Sequence, residues 1–445
     1  MNNFYKKKIG IFGLGLTGVA AIKFFIKNRA SIFIWDDNSY RLNVVKKKFS
    51  YSHIINNIKE DIKYFDFVVI SPGIPKLYPK EHKIFSLCKL YNIDVLSDID
   101  ILVKIQNNSI FSAITGTNGK STTVSLLNYL CVPSIIVGNI GIAALSKKVF
   151  NFRGMYIVEI SSFQIEILKD TTIFDHIAIL DIFPDHQDRY IDFYKYKKTK
   201  KLLCYHAKKS IIISVDQNSD IYYSLLHDIK IKAQIIPIAS KSKIEFGISC
   251  INCVIYDNFF AKNIVKLEIP DSLKGMHNAN NIATCYALCL SNRKKFLPSL
   301  INSFKGLKYR MEVINSNNKR IIVINDSKAT NMTATIIALN SFKTIHWLAG
   351  GILKKQNIFF LINQMLNVKC CYFFGRDKNI FINFAKQLKI KYYSCINLKE
   401  AVRVVKRKCK YGTVLLSPAC SSYDQWKNFE ERGLYFKKYI QSKVL

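Results

Sequence analysis

Short apolar runs alternate with amphipathic stretches from one end of the chain to the other, the pattern of buried parallel strands separated by helices that cover a sheet. Residues 9–12, 32–35, 67–70, 110–114, 156–160 and 177–180 read as such strands, followed by 211–215, 321–324, 345–348, 372–374 and 413–416. They are dominated by Ile, Val, Leu and aromatic residues with few polar interruptions, as buried parallel strands are, so the expected fold class is α/β. No repeat, low-complexity tract or Pro/Gly-rich linker marks the joints. At 445 residues the chain has room for roughly three domains of about 150 residues each.

Composition adds little to that picture, and charge adds a question. Hydrophobic residues make up 49% and charged residues 22%, ordinary for a globular protein and incompatible with wholesale disorder. Lys and Arg number 66 against 31 Asp and Glu, a formal charge of +35 that first suggests a nucleic acid or an anionic membrane. The lysines, however, are spread along the chain among many Ile, Asn, Phe and Tyr, as a genome-wide bias toward AT-rich codons would leave them. A nucleic-acid footprint should cluster. The densest run, Lys195, Lys197, Lys198, Lys200 and Lys201, is the exception. Twelve scattered cysteines, two of them adjacent at Cys370 and Cys371, argue for a reducing cytoplasm rather than a disulfide framework. The single CxxC, Cys250 to Cys253, has no second pair to complete a zinc site. Two segments imitate membrane signals: Lys6, Lys7 and Lys8 before the apolar run 9–22, and the charge-free stretch 122–146. The first contains a glycine motif and the second is interrupted by Asn128, Pro133, Gly138, Asn139 and Gly141, so no membrane insertion is expected.

Gly13-Leu14-Gly15-Leu16-Thr17-Gly18 follows one expected strand and opens a helix, and the next strand ends at Asp36. Glycines at this spacing permit a tight turn and close backbone approach, the helix N-terminus faces a phosphate, and the acid reaches a ribose. Taken alone this fits a nicotinamide dehydrogenase or a site for another nucleotide. A second loop, Thr115-Gly116-Thr117-Asn118-Gly119-Lys120-Ser121-Thr122, leads from a strand into a helix expected to begin near Thr123. Its amides can cradle phosphates, Lys120 can neutralise the terminal phosphate and a hydroxyl can ligate Mg²⁺. Ile114 stands where the longer phosphate-loop pattern has its first glycine, so the motif is the shorter G-x-x-G-K-[ST] form. Glu159, at the end of another buried strand, offers an oxygen to a hard cation beside those phosphates. Asp185-His186-Gln187-Asp188-Arg189-Tyr190 follows a further strand and reads as an active-site loop, since ligands gather at the carboxyl ends of parallel strands.

With these motifs the chain resembles the Mur ligase family, and within it the branch that adds D-glutamate to UDP-N-acetylmuramoyl-L-alanine. Further matches are Ser71-Pro72-Gly73, Gly138-Asn139-Ile140-Gly141, Glu159 to Gln164, Gly275 to Asn278, Asn325 to Asn331, Phe374 to Asp377 and Leu416 to Gly433, which together span essentially the whole chain. The resemblance implies a Rossmann-like domain for the UDP-substrate (1–98), a central ATP-binding P-loop domain (99–306) and a Rossmann-like C-terminal domain for the amino acid (307–445). It implies that the first glycine loop holds uridine diphosphate, with Leu16, Thr17, Asp36, Ser71, Gly73, Asn139 and Gln164 toward the UDP-substrate. ATP would be held by Gly116, Thr117, Asn118, Gly119, Lys120, Ser121 and Thr122, with Asn278, Arg310, Asp326 and Lys328. Two Mg²⁺ ions would be arranged by Ser121, Thr122, Glu159 and His186 and by a carbamylated lysine, for which Lys200 is the best match and Lys198 and Lys201 are rivals. D-Glutamate would meet Thr330, Lys354, Ser422 and Phe429. Catalysis would rest on Lys120, Asn139, Glu159, His186 and Lys200, in a cytoplasmic enzyme expected to be a monomer with no specific nucleic-acid partner.

Four positions depart from the family's pattern: Asp37 and Asn38 where relatives carry Thr and Arg, Asp181 for Asn, and Tyr309 for His before Arg310. Other readings use fewer of the motifs. A further Mur ligase or a folylpolyglutamate synthase-like amide ligase shares the phosphate loop. An NAD-dependent oxidoreductase explains only the first glycine loop, and a nucleic-acid-binding P-loop protein only the charge and the second loop.

Overall fold

Every strand expected from an apolar run forms, and the three groups of strands build three separate sheets. The structure, a computed structural model, describes residues 4–146, 149, 152–186, 189–273, 275–314, 320–353 and 358–442. By its contacts the chain divides into two compact units, one of Met1–Leu267 with Ala279–Leu300 and one of Glu268–Asn278 with Ile301–Leu445.

In the first unit a five-stranded, all-parallel sheet runs in the order His53–Ile54, Ser31–Trp35, Lys8–Phe12, Phe67–Ile70, Asp94–Leu96. A nine-stranded sheet follows. From one edge it reads Ser134–Gly138, Met155–Glu159, Ile110–Thr115, Phe174–Ile179, Ala207–Ser214, Gln234–Ala239 and Ile248–Ile251, all parallel, then the antiparallel pair Val254–Asp257 and Asn263–Lys266. Because Ile110–Thr115 lies between Met155–Glu159 and Phe174–Ile179, the carboxyl ends of three consecutive motif-bearing strands are neighbours: Ile114 pairs with Glu159, and Thr115 with Ile179. Parallel α/β sheets place their ligands at such a point.

The second unit carries a six-stranded sheet in the order Glu312–Ile314, Ile321–Asn325, Gly412–Leu416, Ile345–Gly350, Val368–Phe374, Tyr392–Ser394, parallel except for the first strand. Its helices show how a polar-rich sequence still builds amphipathic cover. Leu398–Lys408 buries Leu398, Ala401, Val402 and Val405, a one-faced i, i+3, i+4, i+7 stripe, is capped by the Asn397 side chain and ends in three basic residues that suit its negative end.

The charge-free stretch 122–146 divides between the helix Lys120–Leu130 and the strand Ser134–Gly138. No helix among the described residues is long and apolar enough to cross a membrane. All twelve cysteines are free; Cys250 lies in the strand Ile248–Ile251 and Cys253 in the tight turn that follows it.

Candidate active site

The phosphate loop is shaped by two glycines that no other residue could replace without strain. Gly116 and Gly119 have φ of +152° and +84°, and a Cβ would stand 2.7 Å from the Leu180 Cβ at the first and 2.4 Å from the Asn281 Oδ1 at the second. The helix begins at Lys120, not near Thr123, so Ser121 and Thr122 sit buried in its first turn. Gly119 caps it without a side chain, leaving the first amides unclaimed by any side-chain cap. Thr117 ties the loop to the neighbouring strand end: its amide donates to the Asp181 carbonyl at 3.0 Å, and its hydroxyl donates to the Phe183 carbonyl at 3.0 Å and accepts the Phe183 amide at 2.9 Å. Lys120 arches over the loop, its Nζ 2.7 Å from the Gly116 carbonyl and 2.8 Å from that of Thr117. The buried Nδ2 of Asn118 has no hydrogen-bond partner among the described residues.

Beside this loop Glu159 closes its strand, 1% exposed. Its Oε1 accepts from Asn139 Nδ2 at 2.8 Å and its carbonyl accepts the Asn139 amide at 2.8 Å, while Oε2 is buried with no partner among the described residues. An orphan carboxylate oxygen costs free energy unless a cation or donor meets it, so it fits a hard metal ion. Lys200 comes up from the helix Phe193–Leu202, with Nζ 3.0 Å from the Gly116 carbonyl and 3.3 Å from Thr115 Oγ1. In the lysine-rich run Lys200 alone is buried: Lys198 is exposed, Lys201 half-buried, and Lys195 and Lys197 reach Asp192 and Asp220. Burial, and then the nearby charge of Lys120, holds the Lys200 amine well below its ordinary pKa, against the opposing pull of Asp185 and Glu159.

His186 follows Asp185, whose Oδ1 accepts the His186 amide at 2.8 Å. No group of three or more His, Cys, Asp or Glu among the described residues could hold a metal ion. The expected ligand set contains just two residues of those types, Glu159 and His186; its other members are the hydroxyls of Ser121 and Thr122 and the side chain of Lys200. Gln164 uses its Oε1 in a capping box, accepting the Ser161 amide and hydroxyl at 3.0 Å each, which leaves its amide nitrogen outside that box.

The first glycine loop is built as close packing requires. A Cβ on Gly18 would lie 2.1 Å from the Gly13 carbonyl oxygen, and Gly13 has φ of +84°. At Gly15 and Gly73 a Cβ would meet nothing within 4 Å. Ser71 donates to the Gly13 carbonyl at 2.6 Å, Leu16 is exposed at the helix start and Thr17 is half-buried beside it. Asp36 shapes the loop from within: Oδ2 accepts the Leu14 amide at 2.7 Å and Oδ1 the Asn38 amide at 2.9 Å, with Arg41 at 3.5 Å. Of the departures here, Asn38 caps the next helix by accepting the Arg41 amide, and Asp37 accepts from Trp35 Nε1.

In the second unit Asp326 is fully buried, accepts the Ser417 hydroxyl at 2.9 Å and the Met311 amide at 3.3 Å, and is pushed up to about 7 by burial. Arg310 acts on it in the opposite direction. The Lys328 ammonium lies 5.4 Å from the centre of the Phe429 ring, Thr330 is half-buried two residues on, and Ser422 is buried at a turn whose carbonyl accepts the Trp426 amide at 2.9 Å. Asn278 is buried at the start of Met276–Ser291. Lys354 lies outside the described residues.

Sequence reasoning passed over Arg432. Its guanidinium is fully buried and donates to the Ser327 hydroxyl and carbonyl at 3.0 and 2.8 Å and to the Cys420 carbonyl at 3.0 Å. It thereby ties together the loops after the strands Ile321–Asn325 and Gly412–Leu416. A charged residue on the inner face of Phe429–Gln441, in line with buried Gly433 and Phe436, was the available signal. The departures Asp181 and Tyr309 are also accommodated: the Ser214 hydroxyl donates to Asp181, whose carboxyl burial pushes up, and Tyr309 packs where any Cβ on Gly433 would fall, 2.4 Å from its Cδ1.

A family model described as the Mur ligase middle domain matches residues 114–289, and one described as the Mur ligase MurD-like N-terminal domain matches residues 7–85. The UDP-N-acetylmuramoylalanine–D-glutamate ligase of Rickettsia prowazekii (strain Madrid E) is 36% identical over 456 residues, covering 98% of each chain. That of Buchnera aphidicola subsp. Acyrthosiphon pisum (strain Tuc7) is 35% identical, covering 99% of each. Among solved structures, the MurF ligase of Thermotoga maritima in complex with ADP superposes with a TM-score of 0.62 at 14% identity over 99% of both chains. The UDP-N-acetylmuramate–alanine ligase MurC of the same organism gives 0.59 at 14% identity, covering 98% of this chain and 99% of its own. These two likenesses are of fold.

Proposed function

We propose that this chain, which belongs to the Mur ligase family, uses ATP to join D-glutamate to UDP-N-acetylmuramoyl-L-alanine in peptidoglycan precursor synthesis. The observation that carries the mechanism is the convergence of Lys120, Glu159 and the buried Lys200 on one glycine-shaped loop at the carboxyl ends of neighbouring strands.

In this reading the alanyl carboxylate attacks the terminal phosphorus of ATP, ADP leaves, and an acyl phosphate forms. The amine of D-glutamate then attacks the acyl carbon, and the tetrahedral intermediate expels phosphate to leave the amide. Phosphoryl transfer between two anions is governed by positioning and charge neutralisation. The amides of residues 118–122 hold the ATP phosphates, and Lys120 swings its ammonium from the loop carbonyls to the phosphate being transferred. Asn139 orients Glu159, whose Oε2 would hold a cation together with Ser121, Thr122 and His186. Two Mg²⁺ ions, when bound, would neutralise phosphate charge and polarise the phosphoryl group.

Lys200 has the environment a carbamate needs: CO₂ adds to a free amine, and burial beside Lys120 shifts this lysine toward the free amine. Its carbamate would supply the carboxylate-like oxygens that the histidine and acid set lacks. The amide cradle at Gly15, with Leu16, Thr17, Ser71 and Gly73, takes the uridine diphosphate, Asp36 holding that loop in shape, and Gln164 contacts the remainder of that substrate. Asn278, Arg310, Asp326 and Lys328 serve ATP, and Thr330, Lys354, Ser422 and Phe429 serve D-glutamate. Domain limits of 1–98, 99–306 and 307–445, a monomeric state and a cytoplasmic location belong to the same proposal.

Purified protein should release ADP only when UDP-N-acetylmuramoyl-L-alanine and D-glutamate are both present. Lys120→Ala should fold normally and lose about 3 kcal/mol or more of transition-state stabilisation, at least a hundredfold in rate. ADP release that ignores either substrate, or wild-type turnover by the variant, would refute the assignment.

A further inference from the structure

We infer that Glu166 is the positioning residue for His186, gripping from the helix Ser162–Ile167 the turn in which that histidine is held. The inference deepens the active-site reading above and rests on it for the importance of His186.

His186 has φ of +55°, a left-handed conformation that is uncommon for a residue with a Cβ and carries some strain. Its carbonyl accepts the amides of both Arg189 and Tyr190, at 2.9 and 2.8 Å, so the backbone at His186 is tied to those two residues. The side chains of those same two residues converge on one carboxylate. Arg189 Nη2 donates to Glu166 Oε2 at 3.0 Å, and the Tyr190 hydroxyl makes a short hydrogen bond to Oε1. The Glu166 side chain has no solvent exposure and that of Arg189 only 10%, so this pair is not the screened surface kind.

The helix adds a second hold. Phe163 packs edge-on against the His186 ring at 4.9 Å, and the Arg189 guanidinium lies 4.2 Å from the centre of the same phenyl ring. Both Glu166 oxygens are committed to Arg189 and Tyr190, so Glu166 acts through them and touches no reacting atom. The result is a fixed link between the helix bearing Gln164 and the loop bearing Asp185 and His186.

The test must separate positioning from stability, because Glu166→Ala strands a buried arginine and could unfold the protein. Three variants are compared: Glu166→Ala, Glu166→Gln, which keeps the shape and one acceptor for Tyr190, and the double variant Glu166→Met with Arg189→Met, which removes both charges while filling the space. Hydrogen exchange at the Arg189 and Tyr190 amides reads the turn directly, and Mn²⁺ titration followed by electron paramagnetic resonance reads the metal site without turnover. In the double variant, at a Tm within a few degrees of wild type, exchange at those two amides should rise at least tenfold and Mn²⁺ should bind at least tenfold more weakly. Glu166→Gln should fall between it and wild type. Unchanged exchange or unchanged Mn²⁺ affinity in the folded double variant overturns the inference. Wild-type protein that protects the two amides, yet neither binds Mn²⁺ nor releases ADP with both substrates, overturns the reading of the site itself and leaves Glu166 a merely structural anchor.

Discussion

A lysine with no carboxylate at ion-pair distance has little reason to be buried unless its neutral form is wanted, and that is the situation of Lys200. Its hydrogen-bond partners are a carbonyl and a hydroxyl, and the charge that acts on it most strongly is that of another lysine. If it carries a carbamate, Lys200→Ala leaves a vacancy the size of a small carboxylate. Activity should then fall by most of its value and recover in part with acetate or formate, whereas Lys198→Ala and Lys201→Ala should change little. A steady-state assay with added formate checks this, and three variants of equal activity would remove the carbamate. Asp326 shows the opposite use of burial. Its native pKa, about 7, lies above the ordinary 3.8, so the folded state holds a proton that the unfolded chain releases between those values. Stability from this group is therefore full below about pH 4 and declines as pH rises through 7, by up to about 4 kcal/mol for a shift of this size. Asp326→Asn should escape that decline, its Tm falling less than wild type between pH 5 and pH 8. A parallel loss in both proteins would show that Asp326 is ionised in the native state.

At the scale of elements, the two glycine loops do different work with similar means. In the first, Gly18 lets the helix Leu16–Lys27 approach the turn, since a Cβ there would overlap the Gly13 carbonyl oxygen at 2.1 Å. Gly18→Ala should push the helix start away from the turn, weakening UDP-N-acetylmuramoyl-L-alanine about tenfold or more while leaving ATP binding intact. Calorimetric titration with each ligand separates the two effects, and equal losses would mean general unfolding. Both loops were legible in the sequence because such turns need glycines at fixed spacing after an apolar run, joined in the second loop by a lysine and hydroxyl residues. The strands beneath them were legible because double-sided burial demands unbroken Ile, Val and Phe. What escaped was set by other physics. His53–Ile54 and Asp94–Leu96 are edge strands too short for a pattern, and the antiparallel tail through Asn263–Lys266 alternates weakly on a half-exposed surface. The helix from Lys120 starts with hydroxyl residues whose burial comes from the loop rather than from apolar periodicity. Arg432 and Glu166 escaped because a buried charge is visible only once its partners, distant in the sequence for Arg432 and on a separate loop for Glu166, are brought to it.

Over the whole molecule the formal charge of +35 calls for an explanation of its own. A protein that reads nucleic acid gathers its cations where phosphates pass, and its affinity falls steeply with salt in proportion to the phosphates neutralised. The densest lysine run fails that description. Lys200 is buried against the phosphate loop, Lys195 and Lys197 reach Asp192 and Asp220, Lys201 is half-buried and acts on Asp228, and of the run only Lys198 is exposed. Asparagine is frequent alongside lysine, and there the fold makes use of it: the Asn38, Asn57, Asn331, Asn397 and Asn428 side chains all cap helices. A surface charged in this scattered way attracts any polyanion weakly and holds none in register. DNA should therefore bind without sequence preference at low salt and lose about a thousandfold or more in affinity between 50 and 200 mM salt. Fluorescence anisotropy with two unrelated duplexes across that range measures it. Nanomolar, sequence-selective binding that persists at the upper salt would mean that the lysines form a nucleic-acid surface after all, alongside the ligase site rather than in place of it.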